Sequence, residues 1–242
     1  MIHPAIGIAY RGFSCQTLCA LHETMMRIVI RFILLGIAFG GVVYAIGYHG
    51  QRSFQYPLAV LPEVSNVVKA AKELSGTPYD PLMGAHGNIG ATAGFIVCSD
   101  VPNLAYGLAG YSLQTMLERD FKVHPNAYNT ANGNVPGNPY FHRRARNLFS
   151  YFQANGRALP PDAIPKVGDL AFYQHDPKSY VTHVALVTAV EGNRYWVMES
   201  APETVLAKEV SGTSPISRGW LLVGYGRMYQ DAHSNSRQAG RP

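Results

Sequence analysis

The strongest constraint on the fold is a change in hydrophobic periodicity near residue 166. Before it, helical patterns with turn or capping residues at their ends occupy three segments, 63–74, 99–108 and 143–155. After it, short β-rich runs are separated by turn residues, at 169–173, 183–190, 195–200, 204–210 and 221–227. Helices followed by a strand meander predict an α+β domain with an antiparallel sheet of about five strands.

An apolar segment precedes this domain. Residues 32–48 carry no charge, with Arg27 and Arg31 before them and Arg52 after them. A run of about 17 residues is at the lower limit for crossing a bilayer. Arginines on its N-terminal side favour export of the C-terminal part. The segment is predicted to be an uncleaved membrane anchor, with a cleaved signal peptide and a buried core helix as the alternatives.

Export places the domain in the cell envelope, either anchored in the inner membrane and facing the periplasm, or secreted. Residues 1–24 look like neither a targeting signal nor a domain, so translation could start at Met25 or Met26. The predicted organisation is an N-terminal extension (1–24), an anchor or signal segment (25–48), a linker (49–62), the domain (63–229) and a polar, disordered tail (230–242).

Charge and cysteine content exclude several classes of protein. The net charge of +5 is spread along the chain without a basic helix or stripe, which argues against nucleic-acid binding. The sign fits an anionic cell-wall polymer or a membrane surface. Only one of the three cysteines, Cys98, lies in the domain, so no disulfide forms within it. The histidines at 86, 124, 142 and 175 lack metal-ligand spacing, and no metal or other cofactor is expected.

Cys98 is the candidate nucleophile because it lies just before the predicted helix that begins at Ser99 or Asp100, with Asp100 as its predicted capping residue. A thiolate is a better nucleophile than a thiol, and the positive end of a helix stabilises it. His183 is the candidate base, since it opens an apolar strand after a polar turn. It would take the proton of Cys98 and later protonate the leaving amine. The alternative is a histidine with a structural role at a strand end.

Glu199 is the candidate third residue, which would orient the imidazole of His183. It follows the apolar stretch 196–198, where a carboxylate is costly unless it has a partner. Side chains alternate along a strand, so His183 and Glu199 share a face only if the hairpin loop has an odd number of residues. A three-residue loop, 191–193, meets this condition. The alternative role for Glu199 is pairing with Arg or Lys at the sheet edge.

These residues stand in an order that is known from one superfamily. Along the chain come a helix, the turn 76–79 (Gly-Thr-Pro-Tyr), Cys98 at a helix start, a Gly-Asp strand at 168–169, the strand led by His183, and Glu199. Over residues 63–227 this order resembles the NlpC-type cell-wall hydrolases of the papain-like superfamily. The nearest likeness is an uncharacterised bacterial branch with Cys-Ser/Thr-Asp at the nucleophile, here 98–100, and an Arg-Arg-x-x-Asn-Leu helix, here 143–148.

The resemblance implies a papain-like fold, in which the helix of the nucleophile packs on the antiparallel sheet. It also implies that Tyr79 lines the site near Cys98. Asp100 stands where the main family has Gly and Val97 where it has Asp, so substrate preference is expected to differ. Arg143 and Arg144 could grip a substrate carboxylate, the alternative being a solvated helix start.

The sequence thus predicts an exported cysteine peptidase or amidase that cleaves an amide bond, with peptidoglycan stem peptides as the expected substrate. Cys98 would attack the carbonyl and form an acyl-enzyme, while backbone N–H groups at the helix start hold the oxyanion. The alternatives on the same fold are a non-catalytic envelope module that binds wall peptides or a partner protein, and an acyl- or peptidyl-transferase.

Overall fold

A computed structural model describes residues 61–84 and 93–229, and these residues form helices and a sheet of the predicted α+β class. The predicted membrane segment 32–48, most of the linker and the tail 230–242 lie outside the described residues. Within the described ranges, no helix combines the length and the apolar character needed to cross a bilayer.

Three of the helices confirm the predicted helical segments. The helices are α1 (Val64–Glu73), α2 (Asp100–Leu108), α3 (Leu113–Val123), α4 (Ala145–Ala154) and the single turn α5 (Ser214–Ser217). Helix α3 was not predicted, although Ser112 caps its start by accepting a hydrogen bond from the N–H of Thr115 at 3.1 Å. The buried face of this helix includes Asp120, and a charged residue at a buried position interrupts the hydrophobic periodicity.

The sheet has six antiparallel strands rather than about five. They are β1 (Ala158–Leu159), β2 (Leu170–Gln174), β3 (His183–Glu191), β4 (Arg194–Glu199), β5 (Lys208–Ser211) and β6 (Leu221–Gly226), in the spatial order β1-β6-β2-β3-β4-β5. Strand β1 was missed because two residues are too short to show alternation. Strand β5 begins later than predicted because Pro202–Thr204 forms a 3₁₀ turn.

The central strands of the sheet are buried on both faces, which explains their nearly continuous apolar sequences. One face packs against the helices through Leu170, Phe172, Val184, Leu186 and Met198. The other face forms a second cluster with Trp220, through Ala171, Tyr173, Ala185, Val187, Val197 and Tyr225. Strand β3 contacts α1, α2 and α4, so its first residue, His183, lies close to the start of α2.

The long segment 124–140 is held to the start of α4 by a pair of amides. Asn134 and Asn147 exchange hydrogen bonds of 2.9 and 2.8 Å, and both side chains are fully buried. The side chain of Asn147 also donates to the carbonyl of Phe141 at 2.7 Å. These contacts fix the backbone on either side of the arginines at 143 and 144, which the sequence placed in the site.

Candidate active site

Cys98 lies directly before the helix start, as the sequence predicts. Ser99 is the N-cap residue of α2, and the half-buried Cys98 precedes it as a free cysteine. The Sγ atom of Cys98 is 3.8 Å from the carbonyl oxygen of Thr182, the residue that precedes His183. The nucleophile candidate and the first residue of β3 are therefore neighbours, although 84 positions separate Cys98 from Thr182 along the chain.

His183 is buried and uses one ring nitrogen for Glu199. Its Nε2 is 3.0 Å from Oε2 of Glu199, and the ring also forms a hydrogen bond with Cys98. Burial acts to lower the pKa of His183, but hydrogen bonds to Cys98 and Glu199, and the charges of both, raise it to about 9. This shift favours the imidazolium form of a ring that lies between a sulfur and a carboxylate.

Glu199 is fully buried and has two cationic partners. Its Oε1 accepts a hydrogen bond of 2.5 Å from Nη2 of Arg218, while Oε2 faces His183. Burial would raise the pKa of Glu199, but the hydrogen bonds and charges of His183 and Arg218 outweigh it and lower the pKa. Both roles considered for Glu199 thus occur together: it faces the imidazole and it pairs with an arginine.

The hairpin that carries His183 and Glu199 differs from the predicted one. Glu191 pairs with Arg194, so the loop has two residues, 192–193, and the prediction of a three-residue loop is wrong. Gly192 has a φ of 59°, which suits the first central position of a two-residue II′ turn. By itself, this loop would put the two side chains on opposite faces of the sheet.

A bulge in β3 restores the shared face. The pairing shifts by one residue on either side of Thr188, so that Leu186 lies opposite Met198. An extra residue in one strand reverses the alternation beyond it. His183 and Glu199 therefore point to the same side of the sheet, at hydrogen-bonding distance.

Asp100 does not cap α2, contrary to the prediction. It is the first helical residue, and its Oδ2 accepts the backbone N–H of Val97 at 2.9 Å. Arg143 donates to both carboxylate oxygens, from Nε at 2.7 Å and from Nη2 at 2.6 Å. Both side chains are buried, and the pair ties the segment before Cys98 to the segment before α4. A direct role for either residue in binding substrate stays a prediction.

Further hydrogen bonds hold the same two segments together. The hydroxyl of Ser99 donates to the carbonyl of Arg143. The side-chain amide of Asn103 donates to the carbonyls of Ser99 at 2.7 Å and His142 at 2.8 Å. The backbone around Cys98 is thus fixed from α2 and from the start of α4. Arg144, the N-cap residue of α4, lies in this neighbourhood.

Tyr79 lies near Cys98 in a short backbone pairing. It forms a parallel bridge with Ile96, and its N–H donates to the carbonyl of Val205 at 2.7 Å. Burial raises the pKa of the Tyr79 phenol, and the charge of Cys98 adds to this shift. The phenol therefore keeps its proton at physiological pH and can serve as a hydrogen-bond donor beside the sulfur.

Three residues near the site were not identified as site residues from the sequence. Arg218 and Trp220 lie outside every recognised motif, yet Arg218 binds Glu199 and the Trp220 ring lies 4.7 Å from that of His183. Val205 has a φ of 61° and ψ of −39°, an unusual conformation for a β-branched residue. Its turn supplies the carbonyl that binds Tyr79.

The described histidines outside the site have other surroundings. His124 contacts Asp120 at 2.9 Å, and His142 is buried. The ring of His175 is tilted against that of Trp220, with 3.6 Å between the ring centroids. His86 lies outside the described residues. Across residues 61–84 and 93–229, no three His, Cys, Asp or Glu side chains are grouped so that they could hold a metal ion.

Comparison with known proteins gives a family. The model of a domain of unknown function (DUF1287) matches residues 78–207, more than half of the chain. The matched range includes Tyr79, Cys98, Arg143, His183 and Glu199 and stops short of Arg218. A search of curated proteins finds no match.

Proposed function

The chain belongs to the family described as a domain of unknown function (DUF1287), and we propose that it is a cysteine hydrolase that cleaves an amide bond. The observation that carries this proposal is one series of contacts, from the half-buried Cys98 through the buried His183 and Glu199 to Arg218. A nucleophile, a base and a group that orients the base are the three parts that thiol catalysis requires.

The charges of this series suit a thiolate nucleophile. With a pKa of about 9, His183 is protonated at neutral pH, and an imidazolium beside Sγ stabilises a thiolate. The thiolate of Cys98 attacks the amide carbonyl, and His183 gives its proton to the leaving amine as the C–N bond breaks. Water then attacks the thioester, with His183 as base, and releases the acid and the thiolate.

The start of α2 supplies donors for the oxyanion of this reaction. Within the described part of the chain, the backbone N–H groups of Cys98 and Ser99 have no acceptor. Donors that are already fixed in place stabilise developing negative charge without reorganisation. The neutral phenol of Tyr79 is a further candidate donor.

A papain-like fold of the NlpC type is the finer assignment that we propose. It is supported by a cysteine before a helix, an antiparallel sheet packed on that helix, and a histidine at the start of a central strand. The polar residue on the next strand, Glu199, completes this arrangement. Asp100 and Val97, which depart from the main family, make a structural contact with each other, so the departure does not argue against activity.

Peptidoglycan stem peptides are the substrate class that we propose, and the cell envelope is the proposed location. The resemblance to cell-wall hydrolases, the positive net charge and the apolar segment 32–48 support both. No nucleic-acid partner and no cofactor enters the proposed reaction.

The test is digestion of purified sacculi by the wild type and by Cys98→Ala, with the products separated by chromatography. We expect the substitution to reduce cleavage by at least about a thousandfold while the melting temperature is maintained. Ser211→Ala, at an exposed position on β5, is the control. Undiminished cleavage by Cys98→Ala would refute the proposal. Binding of sacculi without any cleavage by the wild type would favour a non-catalytic module, and products joined to an added amine would favour a transferase.

A further inference from the structure

We infer that Arg144 and Arg146 together bind a carboxylate of the substrate beside Cys98. This inference rests on the proposed function and names the chemical group that the site selects. The sequence predicts Arg143 and Arg144 as candidates for binding a carboxylate. Arg143 is less suited to this role, because two of its donors bind Asp100.

Both arginines have buried donors that lack acceptors. The Nε atoms of Arg144 and Arg146 are shielded from solvent and have no hydrogen-bond partner, and neither side chain has a carboxylate within ion-pair distance in the described ranges. A buried donor without an acceptor costs free energy. Nη1 of Arg143 and Nε of Arg218 are also buried without a partner, but Arg143, Arg218 and Arg227 each bind a buried carboxylate through their other nitrogens.

The two guanidinium groups also act on each other. Burial lowers the pKa of Arg146, and the positive charge of Arg144 lowers it further. Arg146 is held over the ring of Tyr180, 4.9 Å from its centroid. Two adjacent cations without an anion produce a positive potential that a carboxylate would neutralise, accepting the unpaired N–H groups in the bidentate geometry that guanidinium favours.

Two independent connections bring this pair to the nucleophile. Arg144 follows Arg143, whose carbonyl accepts a hydrogen bond from Ser99, the residue after Cys98. Arg146 lies over the ring of Tyr180. Tyr180 is two residues before Thr182, and the carbonyl oxygen of Thr182 lies 3.8 Å from the Sγ atom of Cys98. The arginine pair therefore lies at the side of the site between the start of α4 and the start of β3.

The experiment compares the alkylation of Cys98 by iodoacetate and by iodoacetamide, which have similar shape and differ in charge. In both reactions the sulfur forms a bond to carbon and iodide leaves, so no substrate need be known. The readout is the ratio of the rate constants, iodoacetate over iodoacetamide. We expect Arg144→Gln and Arg146→Gln each to lower this ratio by about threefold, with a smaller difference at high salt.

Matched variants separate charge from structure. Arg146→Lys retains the charge and should keep most of the ratio, and Arg194→Gln, at an exposed position on β4, should leave it unchanged. Equal ratios in the wild type, Arg144→Gln and Arg146→Gln would overturn the inference. Slow labelling by the neutral reagent iodoacetamide would instead count against a reactive Cys98, and so against the proposed function.

Discussion

Two buried charged clusters flank Cys98, and they differ in one respect. On the helix side, Asp100 and Arg143 form a direct bidentate pair without an intervening histidine. On the sheet side, Glu199 binds both Arg218 and His183, and His183 carries a titratable proton with a pKa raised to about 9. The first cluster can therefore fix the backbone, while the second can also move a proton.

Both clusters bury charged side chains, but this difference gives the two clusters different roles. Burying charges is costly in both clusters, and the partners on each side offset that cost. Only the sheet cluster has a titratable ring that faces the sulfur.

Removing Asp100 should have the largest effect, and the effect should be on stability. Asp100→Ala leaves the buried guanidinium of Arg143 unpaired, which costs about 3–5 kcal/mol of unfolding free energy. Urea unfolding measures it. The control is Glu191→Ala, whose exposed ion pair with Arg194 should contribute less than about 1 kcal/mol. A loss in Asp100→Ala as small as in the control would mean that the pair does not clamp the site.

Removing the charge of Glu199 should act mainly on activity. Glu199→Gln keeps the shape of the side chain but withdraws the carboxylate from His183, and we expect kcat/KM to fall about 100-fold. Glu209→Gln, a carboxylate on the neighbouring β5, is the control. An unchanged kcat/KM in Glu199→Gln would show that His183 works without this carboxylate, and that the sheet-side cluster has no catalytic role beyond that of the helix-side pair.

The pH dependence should report the same contact. His183 acts as an acid only while protonated, so activity should fall as pH rises through its pKa of about 9. Glu199 contributes to that raised pKa, so Glu199→Gln should move the decline in activity to lower pH, by about one pH unit. The rate of cleavage across pH 6–10 measures the shift. Declines at the same pH in both proteins would show that the carboxylate does not stabilise the imidazolium.

The smallest effect is expected at Val205, which belongs to neither cluster. Its positive φ strains a β-branched residue, so Val205→Gly should raise the unfolding free energy by about 1 kcal/mol. Val123→Gly, also exposed but at the end of α3, should instead destabilise the protein. Thermal unfolding of the two variants compares them, and destabilisation by both would argue against strain at Val205.

Periodicity predicted much of the fold, because α1, α2, α4 and the long strands carry their signal in local sequence. It missed α3, whose buried stripe includes Asp120. That carboxylate is tolerated because Tyr128 donates to it at 2.5 Å and Asn155 at 2.8 Å, and both partners come from elsewhere in the chain. Tertiary partners of this kind leave no local pattern.

In the site, too, some residues could be predicted from local sequence, while others depend on tertiary contacts. The order of Cys98, His183 and Glu199 could be predicted, since each stands at the start or end of a recognisable element. The bulge at Thr188 and the partner Arg218 could not, because both depend on how distant strands and turns pack. Asp100 was predicted to cap α2 from its position alone, but the buried Arg143 competes for its carboxylate.

The most direct test of the account is the protonation of His183, followed by NMR of its labelled imidazole in the wild type and in Cys98→Ala. We expect a ring that is protonated at pH 7 and titrates near pH 9 in the wild type. We also expect a lower pKa in Cys98→Ala, because the hydrogen bond and charge of the sulfur are lost. A His183 ring that titrates near its ordinary value of about 6.5 in both proteins would contradict the account.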